Sequence, residues 1–136
     1  MYKFLHKNLK SQNGNHTWEI GKWYTFPGKL EMCSRGFHCS VEPYDAFRYV
    51  QGEILAEVET RGNGIVQEDK QCWSGMRVVE AWHWTKPDSV KLAVFAAELV
   101  LPNFEQVYPS NNRPRKAIEA AKAWLNNPYD TTKLAE

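Results

Sequence analysis

Hydrophobic and polar positions alternate at the start of the chain. Tyr2 to His6 (YKFLH) has the period of two expected of a first strand. Asn8 to His16 is polar and carries Gly14, a loop composition, and Trp18 to Phe26 (WEIGKWYTF) then reads as strand or hairpin. Trp18, Ile20, Trp23 and Tyr24 are its candidates for burial. Pro27-Gly28 marks a turn and Leu30 to Met32 a short strand. From Cys33 the pattern becomes more informative. Ser34-Arg35-Gly36 predicts a tight turn that presents His38 and Ser40 on a short run. Pro43 opens a helix whose apolar face is Ala46, Phe47 and Val50, because a first-turn proline forfeits no hydrogen bond and has a helical φ already. Gly52 ends that helix. Ile54, Ala56 and Val58 alternate with Glu53, Leu55, Glu57 and Glu59 as a strand. Arg61 to Gly64, with two glycines and Asn63, predicts a turn, and Ile65 to Lys70 and Met76 to Trp84 predict further strands of a mostly antiparallel sheet.

The period changes at Pro87. Asp88 is a candidate cap for a helix with a broad apolar stripe of Val90, Leu92, Ala93, Phe95, Ala96, Leu99 and Val100, which stops at Pro102. After a short Phe104 to Tyr108 segment and a turn-rich Pro109 to Arg113, Pro114 starts a second helix. Its buried face is Ala117, Ile118, Ala121, Trp124 and Leu125, with Arg115 and Glu119 paired at i,i+4 on the other side. Asn126-Asn127-Pro128 ends it, and the polar tail is expected to fray. The fold class is therefore α+β: a mostly antiparallel sheet with one short inserted helix, and two C-terminal helices packed on it. The expectation is a single domain over 1–136, with a β-rich part (1–85), a helical part (86–128) and a frayed tail (129–136).

Composition narrows the function classes. A chain of 136 residues is one domain's worth, and 43% hydrophobic residues exclude wholesale disorder. A formal net charge of +1 argues against a dedicated nucleic-acid binder but leaves room for a small anion. No apolar run reaches the roughly 20 residues of a membrane span, and the N-terminus has no signal-peptide core, so the cytoplasm is the expected compartment. Three cysteines, Cys33, Cys39 and Cys72, are an odd number without paired spacing and argue against a disulfide framework. Cys33, His38, Cys39 and Cys72 could form a zinc set on paper. Their spacing is not that of a zinc knuckle, so free, partly buried thiols are expected and no metal.

The candidate site groups His6, Arg35, His38, Ser40 and Lys70 in a polar pocket, with Trp73, in the loop-like QCWSG, near a ligand or partner. Arginine forks two hydrogen bonds onto a phosphate and lysine adds a point charge; histidine and serine supply further donors. Each residue has a structural alternative. His38 can bond the backbone of the next helix, Ser40 can be a turn or cap residue, and His6 can be a satisfied strand end. His83, between Trp82 and Trp84, fits a half-buried sheet position. Asp69-Lys70 fits a surface ion pair, and Arg113 and Arg115 can dock the last helix or hold an anion at its N-terminus.

The run CSRGFHCSVEPYDAFRYV, followed by EILAEVETRG and EDK, resembles a family of small tailed-phage and prophage proteins. Its pattern is a Gly-Phe-His segment, a short helix ending near Tyr, a strand ending in Val-Glu and a later Asp-Lys, and the resemblance covers about Tyr2 to Val79. Separately, LAVFAAELVLPNFEQVYPSNNRPRKAIEAAKAWL is similar to a helical segment of bacterial and phage proteins described as immunity proteins, most specifically over Arg113 to Ala121. A more distant resemblance is to the ADP-ribosyltransferase fold, with His6 ending the first strand, His38 and Ser40 before the helix, and Glu68 or Glu80 as the late acid. These resemblances imply a phage-encoded counter-defence or accessory protein in the bacterial host cytoplasm. It would bind, without turnover or cofactor, a nucleotide-type anion or a host defence protein. The alternatives are an NAD-using transferase and a structural phage protein without ligand; a homo-oligomer is left open.

Overall fold

The computed structural model describes residues 1–13 and 15–129. Gly14 and most of the tail expected to fray lie outside the described residues. The chain divides into two compact units, residues 1–84 and residues from 85 onward. The α+β class holds, with an antiparallel five-stranded sheet and three α-helices, two of them C-terminal.

The first unit is built on a long hairpin, β4 (Ile54–Val66) and β5 (Gln71–His83). The first strand, β1 (Tyr2–Leu5), pairs antiparallel with β4, placing Lys3 opposite Ala56. Along the other edge of β5 lie two short strands end to end. β2 (Trp23–Thr25) pairs at Gly75–Arg77 and β3 (Phe37–Cys39) at Gln71–Trp73. Just past β3, Ser40 exchanges both backbone hydrogen bonds with Tyr2, each 2.8 Å. The sheet thus curls until its two ends meet, with β1 bridging β4 to the end of β3. Register shifts at Glu57/Val58 and Arg61/Gly64 on β4 supply the bend, since a bulge sharpens strand twist.

Several expectations are corrected in this unit. The chain does not turn at Arg61 to Gly64: Gly62, at φ +83°, makes a bulge whose next amide, Asn63 N, donates to Ser74 Oγ at 2.9 Å, and the strand continues to Val66. Reversal comes six residues later, where Gln67 N donates to Lys70 O at 2.9 Å. QCWSG is therefore strand rather than loop. Leu30 to Met32 is not a strand either, because Glu31 and Arg35 bond each other across a tight turn and leave no edge to extend. Of the WEIGKWYTF run only Trp23–Thr25 is strand; Trp18 is 1% exposed but Ile20 faces out.

The core of this unit is Leu5, Trp18, Ile54, Ala56, Val58, Met76 and Val78, with Cys39. The Trp18 indole N–H, which burial would otherwise leave unpaired, donates to Ser11 Oγ at 2.9 Å. On the other face of β1, Phe4 meets Phe47 edge-on at 5.0 Å between ring centres. Phe47 belongs to α1 (Pro43–Tyr49), so β1 is covered on both faces.

The second unit is a helical hairpin, α2 (Lys86–Val107) and α3 (Arg113–Asn126). A capping box starts α2: Asp88 N donates to Thr85 Oγ1, and the Asp88 carboxylate accepts from Thr85 N. The helix does not stop at Pro102. Proline removes one helical hydrogen bond, yet buried Leu101 packs with Val94 and with Ile118 of α3, which holds both turns in line. The buried stripe of α2 is accordingly Val90, Val94, Ala97 and Leu101, not the predicted one; Leu92, Phe95, Leu99 and Val100 are exposed. In α3, Ile118, Ala121 and Leu125 pack inward while Ala117 is exposed. Arg115 reaches across to α2 and makes a bidentate pair with Glu105, at 2.7 and 2.8 Å, rather than bonding Glu119.

Candidate functional site

Period two puts Lys3 on the same face of β1 as Leu5, the core face. Its ammonium donates to His38 O at 2.8 Å and sits 5.2 Å from the centre of the Trp18 ring. No carboxylate among the described residues answers it. Burial lowers its pKa from 10.5 to about 8, against the opposing pull of Cys39 and Cys72.

Next to Lys3, His38 is placed by β3 and by the turn before it. Its Nε2 accepts from Cys33 N at 2.8 Å, which clamps a turn with Cys33 at φ +66° and Gly36 at φ +116°. Any side chain at Gly36 would meet Cys72 Sγ at 2.6 Å, so this turn needs glycine twice over, for its φ and for its space. Burial and the charge of Lys3 lower the His38 pKa, with a backbone bond to Gly36 opposing, so the ring is neutral and accepts at Nε2. Burial pushes the Cys39 thiol up to about 11 and raises that of Cys72, whose Sγ donates to Arg35 O at 3.1 Å.

The third contributor is the end of the hairpin. Lys70 Nζ donates to Cys33 Sγ at 2.9 Å and lies 4.7 Å from the centre of the Tyr49 ring. That hydrogen bond is the main cause of a raised Lys70 pKa. The Tyr49 hydroxyl donates to Asp69 Oδ2, which raises the phenol pKa and lowers that of the carboxyl, and Arg48 stands 3.9 Å from the same oxygen.

Together these groups line an open cavity of about 290 Å3, between β1, the Ser11–Asn13 loop, the Cys33–Gly36 turn, β3 and α1. Among the described residues its wall carries two lysines, Lys3 and Lys70, a neutral histidine and no aspartate or glutamate. Ser40 is 2% exposed and lines the cavity.

Three of the six residues expected from sequence, His38, Ser40 and Lys70, meet here. The other three do not line the cavity. His6 bonds Lys10 through its backbone, at 2.8 Å from His6 N. Arg35 contributes its carbonyl to the turn while the residue stays exposed. Trp73 lies against Gly64, where a Cβ would stand 2.7 Å from the ring, and donates to Gln71 Oε1 at 2.9 Å. Glu68 and Glu80 are exposed and off the cavity wall; Glu80 pairs with Glu57 across the hairpin. Lys3, Cys33 and Tyr49 were missed. Lys3 had a signal, since any reading that points Leu5 inward points Lys3 inward too. Among the described residues no three His, Cys, Asp or Glu side chains converge as a metal site, and all three cysteines are free.

No helix of the described residues is long and apolar enough to cross a membrane. No curated protein and no solved structure matches the chain. One family model does, over residues 1–87, ending inside the first turn of α2 and so spanning the whole first unit. The chain belongs to the family described as Domain of unknown function (DUF7666).

Proposed function

We propose that the protein binds, without turnover, an anionic small molecule of about mononucleotide size in the cavity of its first unit. The observation that carries this reading is the pair of ammonium groups, Lys3 and Lys70, on a wall that has no carboxylate among the described residues. Lys3, whose surroundings among the described residues include no carboxylate, gains most from an anion that arrives with its own charge, while Lys70 also feels Asp69. The volume lies at the lower end of the range for small-molecule pockets, which favours one phosphate-bearing unit over a dinucleotide. Tyr49 and Phe37 supply aromatic edges for a base, and the Ser40 hydroxyl supplies a donor and an acceptor. Absence of a carboxylate from the wall also favours binding over ribosyl transfer, which needs an acid to stabilise the developing charge. The resemblance to tailed-phage proteins supplies a setting: sequestering a nucleotide signal in the bacterial cytoplasm, as a counter-defence factor.

Calorimetric titration with adenosine monophosphate, adenosine and inorganic phosphate tests this. The nucleotide and phosphate bind and adenosine does not; Lys70→Ala removes binding and leaves the melting temperature within about a degree. Loss of stability with binding retained would make Lys70 scaffold. Turnover of NAD by the wild-type chain would overturn the non-catalytic reading.

A further inference from the structure

The second unit carries an apolar face on the side of α2 away from α3. Its buried core among the described residues is Val94, Leu101 and Ile118, little for a pair of helices. Val90, Val94, Ala97 and Leu101 make the side of α2 that packs with Ile118. At about 3.6 residues per turn, Leu92, Phe95, Ala96 and Leu99 fall on the opposite side. Leu92, Phe95 and Leu99 are 50%, 60% and 64% exposed, and Val100 on the flank is 59% exposed. A helix at the surface of a monomer carries one apolar stripe, whereas a helix apolar on two opposite faces is packed on both. Polar residues bound the second stripe, Asp88 towards the start of α2 and Asn103 towards its end.

We propose that this face docks a second copy of the chain, with the two α2 helices antiparallel about a two-fold axis near Phe95 and Ala96, completing a four-helix bundle. The stripe is self-complementary in that arrangement. Leu92 meets the second copy's Leu99, and the Phe95 ring lies over the second copy's Ala96, large against small. Asp88 comes opposite the second copy's Asn103, so a polar margin closes each end. Charge follows the same symmetry. Lys91 and Glu98 are exposed and lie on one flank of the stripe, two turns apart. Antiparallel packing brings like flanks together, so Lys91 stands beside the second copy's Glu98, and the two-fold repeats the pair. A parallel pairing would set Lys91 against the other flank, which is Ala93 and Val100. Within its own chain Glu98 also pairs with Lys122 of α3, which holds the carboxylate at the seam. Because both copies use the same patch, the assembly closes at two.

The test is sedimentation equilibrium of the full chain over a wide range of concentration. Wild type sediments at twice 15.8 kDa and dissociates to that mass on dilution. Ala96→Glu places a charge at the axis. Since Ala96 is exposed in the single chain, the variant keeps its helical circular dichroism and sediments as a monomer. Lys91→Glu sets like charges side by side across the seam and weakens the dimer roughly tenfold. Val66→Glu, at a 62% exposed position of the first unit, leaves the dimer intact. A monomer at every concentration, an open series of larger oligomers, or a dimer indifferent to Ala96→Glu would overturn the assignment.

Discussion

Lys3 gives a pH dependence whose sign and size can be worked out. Its folded pKa is about 8 and its ordinary value 10.5, because burial disfavours the ammonium. Between those values the unfolded chain holds a proton that the folded chain has released, so stability rises with pH across the window. At about 1.4 kcal/mol for each unit of pKa, the gap of about 2.5 corresponds to about 3.5 kcal/mol as an upper bound. Lys3 keeps part of its surface in water, which screens the charge, and about 2 kcal/mol is the expected size. Cys39 acts in the opposite sense. Its thiol rises from 9.0 to about 11, so the unfolded chain loses that proton first and stability falls over that window. The wild-type curve sums the two effects, and Lys3→Met removes the first while also taking a cation from beside the Cys39 thiol. Denaturant unfolding of both proteins from pH 7 to 10.5 should show wild type gaining about 2 kcal/mol on the variant. The lost bond to His38 O shifts the variant's baseline and not this slope. Parallel curves would refute the account and mean that the Lys3 ammonium is hydrated. The same titration governs ligand: wild-type affinity for an anion should fall as pH rises through about 8, while the variant's stays flatter.

Other perturbations test the scaffold. Gly52→Ala places its Cβ on the Leu5 carbonyl oxygen, a backbone atom that cannot yield, and should cost about 2 kcal/mol or more by thermal melting; a neutral result would mean that the chain after α1 shifts freely. Thr85→Ala breaks the capping box of α2 and should lower stability by about 1 kcal/mol, read as loss of helical circular dichroism on warming, with anion binding unchanged. Trp18→Ala empties the largest buried position of the first unit and should cost about 3–5 kcal/mol in denaturant unfolding, or prevent folding. Treatment with a chelator should leave the melting temperature unchanged; a drop together with released zinc would reinstate the thiol set as ligands.

Local chemistry made much of the scaffold legible. Alternation marked β1 and the start of β4, Pro43 and Pro114 marked the openings of α1 and α3, and Ser34-Arg35-Gly36 marked the turn that sets His38 and Ser40. In each case one residue's own backbone preference, or the period of a short run, suffices. The errors share a different cause. Arg61 to Gly64 has turn composition, but Gly62 and Asn63 are equally suited to a bulge. The choice between them depends on β5 lying alongside with Ser74 ready to accept the Asn63 amide. Pro102 predicts a helix end from its missing N–H, whereas Leu101 and Ile118, brought together by the hairpin, outweigh one lost bond. Trp73 looked like a loop aromatic until Gly64 on the facing strand offered its ring a surface. The cavity was legible only in half for the same reason. His38 and Ser40 come from one local motif, but Lys3, Cys33 and Lys70 are brought together by curling a sheet until Tyr2 meets Ser40. Those are pairings between distant segments that no local period encodes. The sequence by itself determined the first strand, the start of β4 and the openings of α1 and α3. Tertiary structure alone decided where β4 bends and that α2 runs through its proline. It also decided that a lysine of the first strand faces the interior without a counter-charge, because each outcome is an energy shared with residues far along the chain.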